Sequence, residues 1–224
     1  MILHIQNVID PATLSVILDK LTAETFADGR ESAGWAAKEV KKNQQLRAPH
    51  PLIELALARL KKHELVQQAA RPAQFVNTMI NRYERGQSYG SHMDDALMIK
   101  RDERGESYVR TDISFTLGLT GLSDYEGGEL VIEDSSGERA WRLDAGDLLL
   151  YPSHFLHRVN PVTAGARVAM VGWIESLLPE AQQREICFEL FQALQHEFKT
   201  QGKSAQFDVL SKTYNNLLRR WVKR

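Results

Sequence analysis

The stretch Tyr89–Met98 reads YGSHMDDALM, and in it His92 and Asp94 stand two apart directly after a Tyr-Gly-Ser turn. Side chains on an extended segment alternate with period two, so an imidazole and a carboxylate would converge on one side. Asp95 would then point the other way, as a solvated neighbour. Alone, a His-x-Asp pair is a weak signal, because many surface strands carry two polar residues at that spacing. A third donor stands in SHFLHRVNPVTAGARVAM: His157, 65 residues after His92 and several strands further on. His154, three residues earlier, is the rival, but it lacks the Arg-Val-Asn-Pro that follows His157.

Two imidazoles and one carboxylate on one side of a metal form the facial triad of non-haem iron(II) oxygenases, which leaves coordination positions open. Ten residues beyond His157, Arg167 opens a strand of otherwise apolar residues. A guanidinium at the mouth of a β-barrel is costly unless it meets an anion, and its planar fork suits a carboxylate. His92, Asp94, His157 and Arg167 together describe a metal plus a dicarboxylic cosubstrate.

The rest of the chain must position these four. Asp10 can cap a first helix with Pro11 at its first position, and Leu14, Ile17, Leu18 and Leu21 mark one face. A second helix is expected from Pro51 to about His63, with Leu52, Ala56 and Leu60 four apart, flanked by Ile53 and Leu57. From about Gln74 the period changes. In TDISFTLGLT, Ile113, Phe115, Leu117 and Leu119 alternate with Asp112, Ser114, Thr116 and Gly118, which predicts a half-buried strand. Short strands about ten residues apart, separated by Gly and Asp turns, predict an all-β sandwich or barrel. After Pro179 the helical period returns. Cys187, Leu190, Phe191, Leu194 and Phe198 form one stripe, and Leu210, Tyr214, Leu217 and Trp221 another, with TQGKS as the turn of a helical hairpin. The expected organisation is a helical segment over 1–74, the β core over 75–177 and a C-terminal helical domain over 178–224. The charged stretch 98–112 reads as a solvated loop, with a lid over the substrate as the functional alternative. The terminal stripes are expected to pack on the barrel; a homodimer through them is the alternative.

Composition excludes other classes. The 224 residues are 43% hydrophobic and 25% charged, with a net charge of −1. With a pI of about 6.7, there is no electrostatic case for nucleic acid or an anionic membrane as partner. One cysteine, Cys187, allows neither an internal disulfide nor a multi-cysteine zinc site. MILHIQNVIDP lacks a basic region followed by an apolar stretch, and no apolar run approaches the ~20 residues of a bilayer span. The expectation is a cytoplasmic protein. No His-Glu-x-x-His of a zinc peptidase occurs.

The motifs HMD, GGEL and AGDLLLYPSHFLHRVNPVTAGAR resemble the Fe(II)/2-oxoglutarate dioxygenases. Within these the chain is most similar to the prolyl-4-hydroxylase-like branch, and there to the bacterial PKHD-type hydroxylases. The likeness is centred on residues 75–177 and extends into the C-terminal helices. It implies a mainly β core, a double-stranded β-helix (jelly-roll, cupin-like), with flanking α-helices. It implies Fe(2+) held by His92, Asp94 and His157, with Arg167 in a salt bridge to the distal carboxylate of 2-oxoglutarate and Tyr83 near that cosubstrate. No catalytic residue is implied beyond the metal centre. The reaction implied couples oxidative decarboxylation of 2-oxoglutarate by O2 to hydroxylation of a substrate, with L-ascorbate keeping the iron reduced. One position departs from the pattern: Gly118 stands where animal enzymes of this branch carry a tyrosine for the distal carboxylate. A non-catalytic iron- or oxoglutarate-binding sensor on the same barrel is the alternative. An oxoglutarate-independent metalloenzyme is another, and it has no use for Arg167. Small-molecule and protein substrates fit the four residues equally.

Overall fold

Two antiparallel sheets face each other, and the N-terminal helices cover the outer side of the larger one. The computed structural model describes residues 1–21, 26–102 and 105–223. With strands numbered in chain order, the larger sheet runs β1 (Leu3–Ile5), β13 (Leu148–Pro152), β9 (Ile113–Gly118), β15 (Val162–Ser176), β5 (Pro72–Glu84), β4 (Gln44–Arg47) and β2 (Ala27–Asp28). β10 (Tyr125–Gly127) also pairs with β15. The smaller sheet runs β12 (Gly137–Trp141), β11 (Leu130–Asp134), β14 (Leu156–Val159), β6 (Ser88–His92) and β3 (Lys41–Lys42). This is the expected jelly-roll core with helices at both ends of the chain.

The central strands send alternate side chains into two different spaces. From β9, Ile113, Phe115 and Leu117 join Ile80, Val168 and Met170 on the outer face. There they pack on α1 (Pro11–Lys20), α2 (Pro51–Lys62) and α3 (Glu64–Ala70). Ile17, Ile53 and Leu60 are fully buried in that layer, each stabilising it by about 1.5–3 kcal/mol over an exposed position. Ser114 and Thr116 point instead into the space between the sheets, where they line a cavity. The expectation of a half-buried β9 is therefore corrected: all six residues are buried, because its polar face looks onto a cavity and not onto solvent.

Local chemistry sets the helix starts. The Asp10 carboxylate accepts from Thr13 N at 2.9 Å with Pro11 in the first turn, and His50 caps α2 ahead of Pro51. The N-terminal segment is not helical throughout, since β1 to β4 come from it. These strands are two to four residues long, too short to display a period. The stretch 98–112 is corrected as well. β7 (Leu97–Asp102) and β8 (Gly105–Arg110) pair as a β-hairpin, and residues 103 and 104 lie outside the described residues.

At the other end α4 (Ala181–Gln201) and α5 (Ala205–Trp221) form the helical hairpin, with Ser204 capping α5 through Phe207 N. Leu178, Cys187 and Tyr214 are buried between them with Leu190, Phe191 and Trp221 packed around. Gln192 donates to Gln68 Oε1 of α3 at 2.7 Å, and the Arg71 guanidinium lies against the rings of Phe191 and Tyr214, 5.5 and 5.3 Å from their centroids. The hairpin thus seats on the same chain. Among the described residues no helix is long and apolar enough to cross a membrane.

Candidate metal centre and its cavity

His92 on β6 and His157 on β14 are direct register partners, so their rings lie side by side with centroids 4.3 Å apart. Two residues past His92 the chain has left the strand, and Asp94 turns its carboxylate inward. That side chain is 6% exposed, and its Oδ2 lies 3.8 Å from His157 Nε2. One ligand atom from each of the three residues falls within 4.8 Å of the others.

Neighbouring groups orient all three. His92 Nδ1 lies 2.8 Å from the Gly90 carbonyl oxygen, and His157 Nδ1 3.1 Å from that of Phe155. A carbonyl only accepts, so each Nδ1 carries a proton and Nε2 is the nitrogen left to face a metal. Burial, and then the neighbouring His157, push the His92 imidazole well below its ordinary value, so it is neutral at pH 7. Ser114 Oγ donates to Asp94 Oδ2 at 2.6 Å and has Ser153 Oγ 2.8 Å away. Tyr89 stacks on His92 at 3.6 Å, and Tyr151 meets His157 edge-on at 5.4 Å. Two imidazole nitrogens and one hydrogen-bonded carboxylate suit a divalent transition metal such as iron(II).

The three residues border a cavity of about 330 Å³, within the range of small-molecule sites. Arg167 and its register partner Tyr83 form part of the wall. The guanidinium lies 5.5 Å from the Tyr83 ring centroid and is 5% exposed. Among the described residues it forms no ion pair. Gly128, at φ +66°, makes room for it: a Cβ there would stand 3.0 Å from Arg167 Cδ. Tyr83 is pushed up to about 12 by burial, against the pull of Arg167. Burial, and then Asp94, push Tyr151 up too, so both phenols keep their protons at neutral pH.

The other sequence candidates sit elsewhere. His154 is exposed and packs beside Phe155, and Asp95 is exposed at the rim of the cavity. At Gly118 a Cβ would stand 2.4 Å from the Asp144 carbonyl oxygen, so the turn before β13 leaves no space for a tyrosine. Ser114, Tyr151 and Lys41 also line the cavity, and sequence reasoning missed them. Ser114 had a signal, lying on the polar face of β9, but that face was assigned to solvent.

Residues 78–175 match the family described as the 2OG-Fe(II) oxygenase superfamily, and residues 182–223 the PKHD-type hydroxylase C-terminal domain. A PKHD-type hydroxylase of Idiomarina loihiensis is 53% identical over 223 residues, 99% of each chain. One from Synechococcus sp. (strain JA-2-3B'a(2-13)) is 47% identical over 226 residues, again 99% of each. Among solved structures, a Pseudomonas putida prolyl-4-hydroxylase shares the fold with a TM-score of 0.58 at 19% identity, over 78% of this chain and 92% of that one. HygX of Streptomyces hygroscopicus, solved with nickel and 2-oxoglutarate bound, does so with a TM-score of 0.53 at 13% identity, over 78% of this chain and 82% of that one.

Proposed function

The chain belongs to the PKHD-type hydroxylases of the 2OG-Fe(II) oxygenase superfamily and is a 2-oxoglutarate-dependent iron dioxygenase; on that premise we propose the residue roles. His92, Asp94 and His157 hold the iron, and Arg167 takes the distal carboxylate of 2-oxoglutarate through two charge-assisted hydrogen bonds. The observation that carries this is a buried guanidinium without an ion pair among the described residues, in the same cavity as the three donors. Tyr83 and Tyr151, both protonated, are the neutral donors for the same carboxylate in place of the tyrosine absent at Gly118.

Bound iron(II) supplies the activation of O2. The chain's own residues orient the cosubstrate and exclude water. Ser114 fixes one oxygen of Asp94, and the backbone carbonyls of Gly90 and Phe155 fix the imidazole tautomers. The coupled reaction turns 2-oxoglutarate, O2 and a substrate C–H group into succinate, CO2 and the hydroxylated product. L-Ascorbate is the reductant that restores iron(II), and the cytoplasm is the compartment. A purely sensory role has less support, since the family is one of hydroxylases. The test is aerobic turnover of 1-labelled 2-oxoglutarate by the Fe(II)-loaded protein. Wild type should release labelled CO2 and succinate in equal amounts, and His157→Ala should release neither. Turnover undiminished in His157→Ala would overturn the assignment.

A further inference from the structure

A second buried cation shares the cavity. Lys41 on β3 is the register partner of Tyr89 on β6, lines the cavity and is 5% exposed. Its ammonium lies 4.9 Å from the Tyr89 ring centroid, and that ring stacks on His92 at 3.6 Å. The charge is therefore one side chain away from the metal-binding residues. Its hydrogen-bond partners are neutral. Ser32 Oγ accepts at 3.2 Å, and with the Gln45 amide turned oxygen-first, Oε1 accepts at 2.8 Å.

Among the described residues no carboxylate reaches ion-pair distance of Lys41. Burial pushes the ammonium down to about 8; Arg47 acts in the same direction, and Asp94 and Asp28 act from a distance in the other. Loading the site does not supply the missing partner. A divalent metal, the Asp94 carboxylate, a dianionic cosubstrate and the Arg167 guanidinium neutralise one another, and Lys41 keeps its charge. Asp95 is exposed at the rim, where water and salt screen it. A buried charge held beside a reaction centre at such cost calls for a counter-ion that arrives with a ligand.

We propose that Lys41 binds an acidic group of the molecule that is oxidised, so that the substrate is an oxyacid anchored beside the iron ligands. This rests on the dioxygenase reading and names the substrate's class. Trp35 and Met93, 86% and 59% exposed, also line the cavity, so its mouth suits an apolar body attached to the acid. Lysine presents a point charge, which accepts a carboxylate or a phosphate alike.

The test uses full-length protein loaded with Mn(II) and 2-oxoglutarate, which fills the Arg167 position without turnover. It follows the ¹⁹F relaxation of trifluoroacetate, monofluorophosphate and neutral trifluoroethanol. At least one anion should show saturable paramagnetic relaxation, weakened ~10-fold or more in Lys41→Met and retained in Lys41→Arg. Trifluoroethanol should show none. Which anion responds more strongly tells whether the acid is a carboxylate or a phosphate. An anion effect unchanged in Lys41→Met, or absent for both anions in wild type, overturns the proposal. Calorimetry with Mn(II) and 2-oxoglutarate on the same proteins separates this from the iron site. If Lys41→Met also loses both of these and Lys41→Arg does not restore them, Lys41 is a structural cation and the proposal falls. Wild type that binds Mn(II) and the anion but not 2-oxoglutarate would sink the cosubstrate assignment and leave the anion site standing.

Discussion

Replacing Lys41 by Met should make the ligand-free protein more stable at neutral pH. The apolar chain keeps the packing against Tyr89 and removes a buried charge that no carboxylate of the described residues neutralises. The fall of the ammonium from 10.5 to about 8 corresponds to ~3 kcal/mol, at about 1.4 kcal/mol per unit. Loss of the hydrogen bonds to Ser32 and Gln45 returns about 2 kcal/mol, so the net gain at pH 7 is ~1 kcal/mol. The folded-state value lies below the unfolded one, so between about pH 8 and 10.5 the unfolded chain binds more protons than the folded one. Wild-type stability therefore rises across that window, relative to a variant with no proton to lose, and the advantage of Lys41→Met shrinks. Urea unfolding of both proteins at pH 7 and pH 10 measures this, with the variant's midpoint higher at pH 7 and the gap narrower at pH 10. A variant less stable at pH 7, or a gap that does not change with pH, would refute the reasoning. Stability gained by removing a ligand-binding group is the usual trade-off at functional sites.

Three further outcomes follow from the same geometry. Ser114→Ala removes the hydroxyl that holds Asp94 Oδ2 and should weaken Mn(II) binding ~10–100-fold; equal affinity by calorimetry would show the hydroxyl to be a bystander. Arg167→Ala should weaken 2-oxoglutarate binding ~10–150-fold, with Arg167→Lys recovering only part because a point charge lacks the fork. Truncation after Pro179 strips the cover from Leu178 and from Arg71 and should give aggregated protein by light scattering. A soluble, metal-binding monomer from the shortened chain would instead make the helical hairpin a dimer arm.

Long elements were legible in the sequence because each repeats its period several times. α2, α4 and α5 show apolar stripes over 12 to 21 residues, and the Asp10–Pro11 start carries its own capping chemistry. The edge strands β2 and β3, two residues each, carry no period. What places them is backbone pairing with β4 and β6, which no local pattern records. That is why Lys41, in a Lys-Lys pair that reads as a solvated surface, was invisible as a cavity residue. The two faces of β9 were read correctly as apolar and polar, but alternation does not tell solvent from an internal cavity. His92, Asp94, His157 and Arg167 could be named because their residue types and spacing make sense together. Tyr151 in LLLYP looks like any core strand residue until β13 is seen beside β9.

The assignment of the metal ligands is tested most directly by calorimetric titration of Mn(II), a redox-inert stand-in for iron(II). The proteins compared are wild type, His92→Ala, Asp94→Ala and His157→Ala, with His154→Ala and Asp95→Ala as controls. One Mn(II) should bind to wild type and to both controls, and none to the three ligand variants. Affinity retained in His157→Ala, or lost in His154→Ala, would contradict the account.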